Sequence, residues 1–359
     1  MDIMIFAYLD NNIGDDLMVK LLAESFPQHR FLLYSRKSVI KSSFESIDNI
    51  VIRQPELWIE DMKTASVFLS VGGSIFQAFS RPQKRYRFRR IRKLKKLKAH
   101  GLKIVTMGSN LGPYKGWLGA KLIEWELRLN DLVTVRDQEA VDLLEAFRGI
   151  KQVVLADDLV YNLEKSERAP EKSCGLGIAA YRSIRPWETN FDNYRFLARL
   201  ADAYIHKTGK SVRLFAFDSE DENDLWAAHQ IYQLAEEKEG LSIVPYLGDQ
   251  EGFLSSFQSC ERMLAIRFHS AILADLYQIP FLPVAYSNKM QNLLTDRGYQ
   301  GLSYLLEELN SELNADMLAE EIIQGDRLFN DFIGDRHNAH MHFEAFAKLL
   351  ESLEAQQKV

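Results

Sequence analysis

The fold predicted for this chain is decided by the stretch Leu264-Ala265-Ile266-Arg267-Phe268-His269-Ser270-Ala271-Ile272-Leu273-Ala274, which leads on to residues 278–286. It has the pattern of a buried strand, a turn with a cation and an imidazole, an apolar helix and a second buried strand. In an open α/β sheet, ligands bind beyond the carboxyl ends of the strands, where the following helix points its N-terminal amides. Residues two apart on an extended backbone share a face, so we expect Arg267 and His269 to project together into that crevice.

The same alternation of short apolar runs and helical patterns extends along the rest of the chain. The apolar runs lie at residues 2–8, 31–34, 50–52, 66–71, 103–107, 131–135, 152–155, 175–180, 211–217 and 241–244. Parallel sheets with helices on both faces produce this pattern. A length of 359 residues exceeds the size at which one core usually keeps growing, so we expect two domains.

A polar, proline-containing segment, Glu164–Ser173, separates the two halves and is predicted to be the interdomain linker. The prediction is an N-terminal Rossmann-like domain over 1–168, a C-terminal Rossmann-like domain over 174–334 and an amphipathic helix over 335–359. Whether that helix returns to the N-terminal domain is left open. The apolar fraction of 47% and the charged fraction of 26% are ordinary for a soluble enzyme.

No apolar run is long enough to span a membrane, and no secretion signal is recognised, so we expect a cytoplasmic protein. Cys174 and Cys260 lack a CxxC context and are expected to be reduced packing residues. The spacing of His337, His340 and His342 does not favour a metal site, and neither a metal nor a cofactor is predicted. The net charge of −6 argues against general nucleic-acid binding.

Residues 81–98 contrast with that net charge, because they contain eleven Lys or Arg and no acid, with apolar residues interleaved near helical spacing. One interpretation is a solvated helix that crosses one face of the first sheet. The other is a surface for peripheral contact with anionic lipid headgroups at the inner face of a membrane. Nucleic acid is a third and less favoured partner, since a globally basic domain is lacking.

The main candidates for chemistry are His269 and Arg267. An imidazole titrates near physiological pH and can act as a general acid, although a histidine after an apolar strand is also a common packing residue. A guanidinium binds a carboxylate or phosphate through paired hydrogen bonds. Asp15 or Asp16 has a structural alternative as a helix N-cap. The further candidate ligand-binding residues, all at strand ends or helix starts, are Asn12, Gly14, Asp15, Gly72, Gly73, Ser74, Gly108, Arg136, Arg182, Arg185, Ser270 and Lys289.

Taken in order, these motifs resemble the polysaccharide pyruvyl transferase family. The matching pieces are Asn12-Ile13-Gly14-Asp15, Gly72-Gly73, Gly108 with Gly112-Pro113, Val135-Arg136-Asp137, Asp157-Asp158, Arg267-Phe268-His269, Pro280 and Tyr286-Ser287-Asn288-Lys289. Ser74 stands where the family often has a third glycine. The resemblance implies a GT-B-like arrangement of two Rossmann-like domains with the active site in the interdomain cleft.

The resemblance also implies transfer of the enolpyruvyl group of phosphoenolpyruvate to two hydroxyls of a sugar, which forms a pyruvate ketal. His269 is then the acid, Arg267 an anion ligand, and Arg136, Arg182 or Arg185 a second one. Asn12 and Asp15 are candidates for the acceptor side, with Asp15 as a base. The acceptor belongs to a surface polysaccharide or to a precursor carried on polyprenyl diphosphate.

Three alternatives to this function stay open. One is a GT-B nucleotide-sugar glycosyltransferase, and another is a noncatalytic glycan-binding protein on the same scaffold. A dehydrogenase is remote, because no GxGxxG follows any predicted strand.

Overall fold

A computed structural model describes residues 1–37, 39–164, 171–182, 191–325 and 337–357. Its strands are β1 Asp2–Phe6, β2 Arg30–Tyr34, β3 Ile50–Arg53, β4 Val67–Val71, β5 Phe76–Ala78, β6 Lys103–Ser109, β7 Leu111–Tyr114, β8 Leu132–Val135, β9 Val153–Leu155, β10 Cys174–Ala180, β11 Val212–Ala216, β12 Leu241–Pro245, β13 Cys260–Ala265, β14 Phe281–Ala285 and β15 Tyr304–Leu305. Its α-helices are α1 Ile13–Ser25, α2 Val39–Phe44, α3 Trp58–Asp61, α4 Arg81–Ala99, α5 Gly116–Leu127, α6 Gln138–Ala146, α7 Phe191–Thr208, α8 Asp224–Leu234, α9 Gln250–Gln258, α10 Phe268–Leu276, α11 Asn288–Asp296, α12 Ala315–Gln324 and α13 His340–Gln357. Within these described ranges, we find no helix with the length and hydropathy that a bilayer span requires.

The chain divides into two compact units. Unit 1 comprises Met1–Leu9, Asp15–Asn162 and Arg336–Val359, and unit 2 comprises Asp10–Gly14 and Leu163–Asp335. Helix α1 therefore begins in unit 2 and continues in unit 1, and the C-terminal helix α13 belongs to unit 1.

Unit 1 is built on a seven-stranded parallel sheet in the order β3-β2-β1-β4-β6-β8-β9. Strands β5 and β7 form a separate two-stranded parallel sheet. With that pair set aside, the seven strands follow the doubly wound order, in which the direction of winding reverses between β1 and β4. Helix α4 covers one face through Leu94 and Leu97, which pack with Met4, Phe68 and Ile104 in one apolar cluster.

Unit 2 repeats this architecture with a six-stranded parallel sheet in the order β12-β11-β10-β13-β14-β15. The reversal lies between β10 and β13, whose residues Ile178 and Leu264 are register partners. β10 is apolar along its whole length and β13 from Met263 onward, because helices cover the sheet on both faces. Residues 264–286 form the end of β13, helix α10 and strand β14, so they contribute to two neighbouring strands of this sheet.

The basic segment 81–98 forms helix α4, but part of its charge is internal. Arg87 and Arg90 are buried and both bind Glu126 of α5, at 2.7 Å and 2.5 Å. The apolar residues Ile91, Leu94 and Leu97 are buried in the unit. The apolar stripe of this helix therefore packs against the sheet, and the exposed part of α4 is basic.

The three C-terminal histidines lie in different surroundings within unit 1. His337 stacks on Tyr161 with ring centroids 3.9 Å apart, whereas His340 is exposed near Glu344. The buried His342 lies with Nδ1 at 2.5 Å from the Thr134 hydroxyl and Nε2 at 2.8 Å from the Asp157 carbonyl. Within the described parts of the chain, no three His, Cys, Asp or Glu side chains are grouped to hold a metal.

His342 makes the stability of the fold sensitive to acid. Burial lowers the pKa of this imidazole from 6.5 to about 4. As the pH falls from 6.5 towards 4, the unfolded chain binds a proton that the folded chain refuses, so the free energy of unfolding drops by about 3 kcal/mol. We expect His342→Gln to flatten this part of the pH dependence in urea unfolding. His340→Gln on the same helix is the control, and an unchanged slope in the His342 variant would contradict the assignment.

Candidate functional site

The first group of candidate residues surrounds the carboxyl ends of β10 and β13, where unit 2 reverses its strand order. Helix α10 begins at Phe268, and Arg267 precedes it in an extended conformation. The Ser270 hydroxyl donates to the Arg267 carbonyl at 2.5 Å, so Ser270 fastens the first turn of the helix. His269 already lies in the helix. The two-residue spacing of an extended strand therefore does not apply to Arg267 and His269. The reason given for the prediction that they share a face is wrong.

Arg267 is held by carboxylates in this structure. Its Nε lies 2.9 Å from Asp224 Oδ2, and its Nη2 forms an ion pair with Glu222. The guanidinium also lies 5.4 Å from the ring centroid of Tyr181, which stacks on Tyr286 with centroids 4.0 Å apart. Residues 218–224 contain five acids, and no pattern in the sequence connects this segment to Arg267.

The charges around Arg267 do not balance. Asp218, Glu222 and Asp224 are three acids beside one arginine, and Asp224 is fully buried. Burial raises the pKa of Asp224; Arg267 lowers it and the nearby Glu222 raises it further. Although burial alone lowers the pKa of Arg267, Asp224 and Glu222 together raise it well above its ordinary value. An anion beside Arg267 would face repulsion from these carboxylates, and this repulsion falls if one of them moves away or binds a proton.

Loss of the arginine is expected to destabilise unit 2. Arg267→Met leaves the buried Asp224 without its cation, which should lower the free energy of unfolding by about 3–5 kcal/mol. Arg213→Met on β11 is the matched control, because Arg213 binds serine hydroxyls and a carbonyl instead of a carboxylate. Chemical denaturation measures both, and equal losses would contradict a special role of the ion pair.

His269 lies against the first turn of α1. A Cβ atom added to Gly14 would overlap the imidazole ring of His269, so only glycine permits this approach. Asn12 Oδ1 accepts a hydrogen bond from the backbone amide of Gly14 at 3.1 Å. The backbone amide of Ile13 donates a hydrogen bond to the carbonyl of Phe217 at 3.1 Å. The alternative that Asp15 or Asp16 caps this helix is wrong, because Asn12 does so and ties the turn to the end of β11.

Unit 1 carries a second group of candidate residues at the carboxyl ends of β4 and β8. A Cβ atom on Gly72 would come within 3.0 Å of Asp15 Oδ1, so this carboxylate lies beside the backbone of the glycine turn. Gly73 likewise leaves room for the Arg136 guanidinium. Arg136 in turn binds Asp158 Oδ2 at 2.5 Å and Asn110 Oδ1 at 3.0 Å.

The remaining candidates have different surroundings. Gly108 has a positive φ of 66°, and Leu159 fills the space beside it, which indicates a packing role. Arg182 lies 4.9 Å from the Trp226 ring centroid, and its amide donates to Asp224 Oδ1 at 3.3 Å. Lys289 lies in the first turn of α11. Ser74 Oγ is buried and has no hydrogen-bond partner among the described residues, and Arg185 lies outside them.

A comparison with known families matches residues 12–288 to polysaccharide pyruvyl transferase. The chain belongs to this family. The match extends from the Asn12 turn to the start of α11, so it includes both Gly14 and His269. No curated protein matches the chain significantly.

Solved structures share the fold over nearly the whole chain. The UDP-GlcNAc 2-epimerase of Methanocaldococcus jannaschii is 10% identical with a TM-score of 0.59, and the match covers 97% of this chain and 99% of that one. Anabaena HepE, solved with UDP and glucose, is 12% identical with a TM-score of 0.58 and coverages of 98% and 99%. At these identities the likeness shows the fold alone, and it confirms the prediction of an α/β fold with parallel sheets in the GT-B class.

Proposed function

We propose that this protein transfers the enolpyruvyl group of phosphoenolpyruvate to two hydroxyls of a sugar and forms a cyclic pyruvate ketal. The observation that carries the proposal is the contact between His269 and Gly14 in a chain of the polysaccharide pyruvyl transferase family. His269, the proton donor of this proposal, lies beside the first turns of α1 and α10. Helix N-termini favour anions, and phosphoenolpyruvate carries both a phosphate and a carboxylate.

In the proposed reaction, His269 donates a proton to the methylene carbon of phosphoenolpyruvate, which becomes a methyl group. The cationic carbon that results is attacked by one sugar hydroxyl. Phosphate then leaves with the bonding electrons of its C–O bond, and the second hydroxyl closes the ring. The two hydroxyl protons, one of them taken up first by Asp15, restore His269 and protonate the departing phosphate, so the products are one ketal and one phosphate.

An anionic group of the donor takes the place of Glu222 on Arg267 in this proposal. Glu222 is about a third exposed and can move into solvent, whereas Asp224 is fully buried and stays. We therefore expect Glu222→Gln to tighten phosphoenolpyruvate binding by about tenfold, because one competing charge of the Arg267 cluster is gone. Isothermal titration tests this, with Glu220→Gln in the same loop as the control, and weaker binding in the Glu222 variant would contradict it.

The acceptor is assigned to Asn12 and Asp15, with Asp15 as the base for a sugar hydroxyl. Asp15 follows Gly14 directly in the chain, and its carboxylate lies beside the Gly72 turn. The proposed acceptor is a surface polysaccharide or its precursor on polyprenyl diphosphate, handled by a cytoplasmic enzyme. Lys289, Arg136 and Arg182 are the further cations proposed for the donor.

The test uses purified protein, phosphoenolpyruvate labelled with ¹³C at C2 and a surface-glycan fraction freed of ketals by mild acid. The proposal predicts one ¹³C-labelled ketal for each phosphate released. Glycan labelling that depends on a nucleotide sugar instead would establish the glycosyltransferase alternative and overturn the proposal.

A further inference from the structure

Unit 1 exposes a run of residues with unusual composition. All of residues 113–118, Pro-Tyr-Lys-Gly-Trp-Leu, are exposed, at the end of β7 and the start of α5. Trp117 has 69% of its surface exposed, and Phe79, just after β5, has 54%. Large apolar side chains grouped in this way on a soluble protein mark an interaction surface.

These residues form one continuous surface with the start of α4. Ala78 is the register partner of Tyr114, and Lys115 Nζ lies 5.3 Å from the ring centroid of Phe79. Lys84 Nζ donates to the carbonyl of Lys115 at 2.7 Å, which fixes α4 beside the run. We call this the aromatic–basic surface and define it by residues 79, 81, 84–86, 88, 89 and 113–118.

The charge of this region has a single sign. No Asp or Glu occurs between Asp61 and Glu124, whereas fifteen Lys or Arg do. Arg87 and Arg90 are buried and share the single carboxylate of Glu126 inside the unit, whereas Arg85 and Arg89 are exposed. In a chain of net charge −6, this asymmetry orients the basic face towards a negatively charged surface.

We propose that the aromatic–basic surface binds the headgroup region of an anionic lipid bilayer. Trp and Tyr prefer the boundary between water and hydrocarbon, and Lys and Arg beside them attract acidic headgroups. A second copy of the chain is disfavoured as the occupant, because two basic faces would repel each other. In this contact, Trp117 and its exposed neighbours enter the headgroup region of the bilayer. The apolar stripe of α4 stays buried in the core of unit 1.

Vesicle co-sedimentation of the full chain tests this proposal without any substrate, so its result is independent of the proposed function. Vesicles of phosphatidylcholine are compared with vesicles containing phosphatidylglycerol. Phe79→Ser with Trp117→Ser removes the exposed rings, and Met317→Ser, an exposed apolar residue of unit 2, is the control. Arg85→Gln with Arg89→Gln removes two charges one turn apart on α4. Arg195→Gln with Arg199→Gln does the same on the exposed side of α7.

We expect binding to the phosphatidylglycerol vesicles alone and its decrease with added salt. The Arg85 and Arg89 double variant should bind about 25-fold more weakly, and loss of the two rings should weaken binding about tenfold or more. Both control variants should bind like the wild type. Equal binding by all variants would overturn the proposal, and so would equal binding to vesicles with and without phosphatidylglycerol. It would also be overturned if the chain bound no vesicles but bound duplex DNA in a way that depends on Arg85.

Discussion

His269→Ala is expected to lower kcat for ketal formation by about 10²–10⁴-fold while leaving phosphoenolpyruvate bound. General acid catalysis contributes a factor of this size, and His269 lies beside the first turns of α1 and α10. The start of helix α10 does not depend on the His269 side chain, since the Ser270 hydroxyl supplies the hydrogen bond to the carbonyl of Arg267. The protein should therefore fold, and circular dichroism with thermal unfolding checks that it does.

The matched control for this substitution is His206→Ala, which removes an exposed imidazole from α7 of the same unit. It should leave kcat unchanged. His269→Gln, which retains a hydrogen-bonding side chain but donates no comparable proton, should resemble His269→Ala. Wild-type turnover by a folded His269→Ala protein would show that the acid is another group.

Gly14→Ala is expected to reduce kcat about as severely, although residue 14 has no reactive group. The added methyl group occupies the position of the imidazole, so His269 must rotate away. The backbone itself accepts alanine, because Gly14 lies in the first turn of α1 and has no positive φ. The expected loss therefore arises from the displaced acid, and displacement of a catalytic group by about 1 Å can cost 10²-fold.

A double variant separates this explanation from a general defect. In the His269→Ala background, Gly14→Ala should cause no further loss of kcat, because the group that it displaces is gone. It should also raise the free energy of unfolding by about 0.5–1 kcal/mol, since alanine is the better helix residue. Losses of kcat that multiply in the double variant would contradict the assignment of the Gly14 contact.

The strands of both sheets, except β15, could be predicted because each contains a short apolar run. Such runs reflect burial on both faces, a property of the local sequence. The β13–α10–β14 stretch shows this, since the sequence pattern identified all three elements.

The partners of the charged residues could not be predicted in the same way. Arg267 is paired by Glu222, in the loop after β11, and by Asp224, at the start of α8, which lie in another part of the chain. Arg87 and Arg90 belong to a run of cations, and their burial depends on Glu126 of α5. Periodicity shows which face of a helix is apolar, but it does not show which charge a distant element supplies.

The identity of the donor is tested most directly by ligand-induced thermal stabilisation of the purified protein. Phosphoenolpyruvate, UDP, GDP and CMP are compared in separate samples, with Gly14→Ala and His269→Ala measured alongside. A ligand at 100 times its Kd adds about 2.7 kcal/mol to the stability of the folded state, which is readily seen as a rise in Tm. We expect stabilisation by phosphoenolpyruvate that persists in His269→Ala, with no effect of the nucleotides. Stabilisation by a nucleotide and none by phosphoenolpyruvate would contradict the proposed donor.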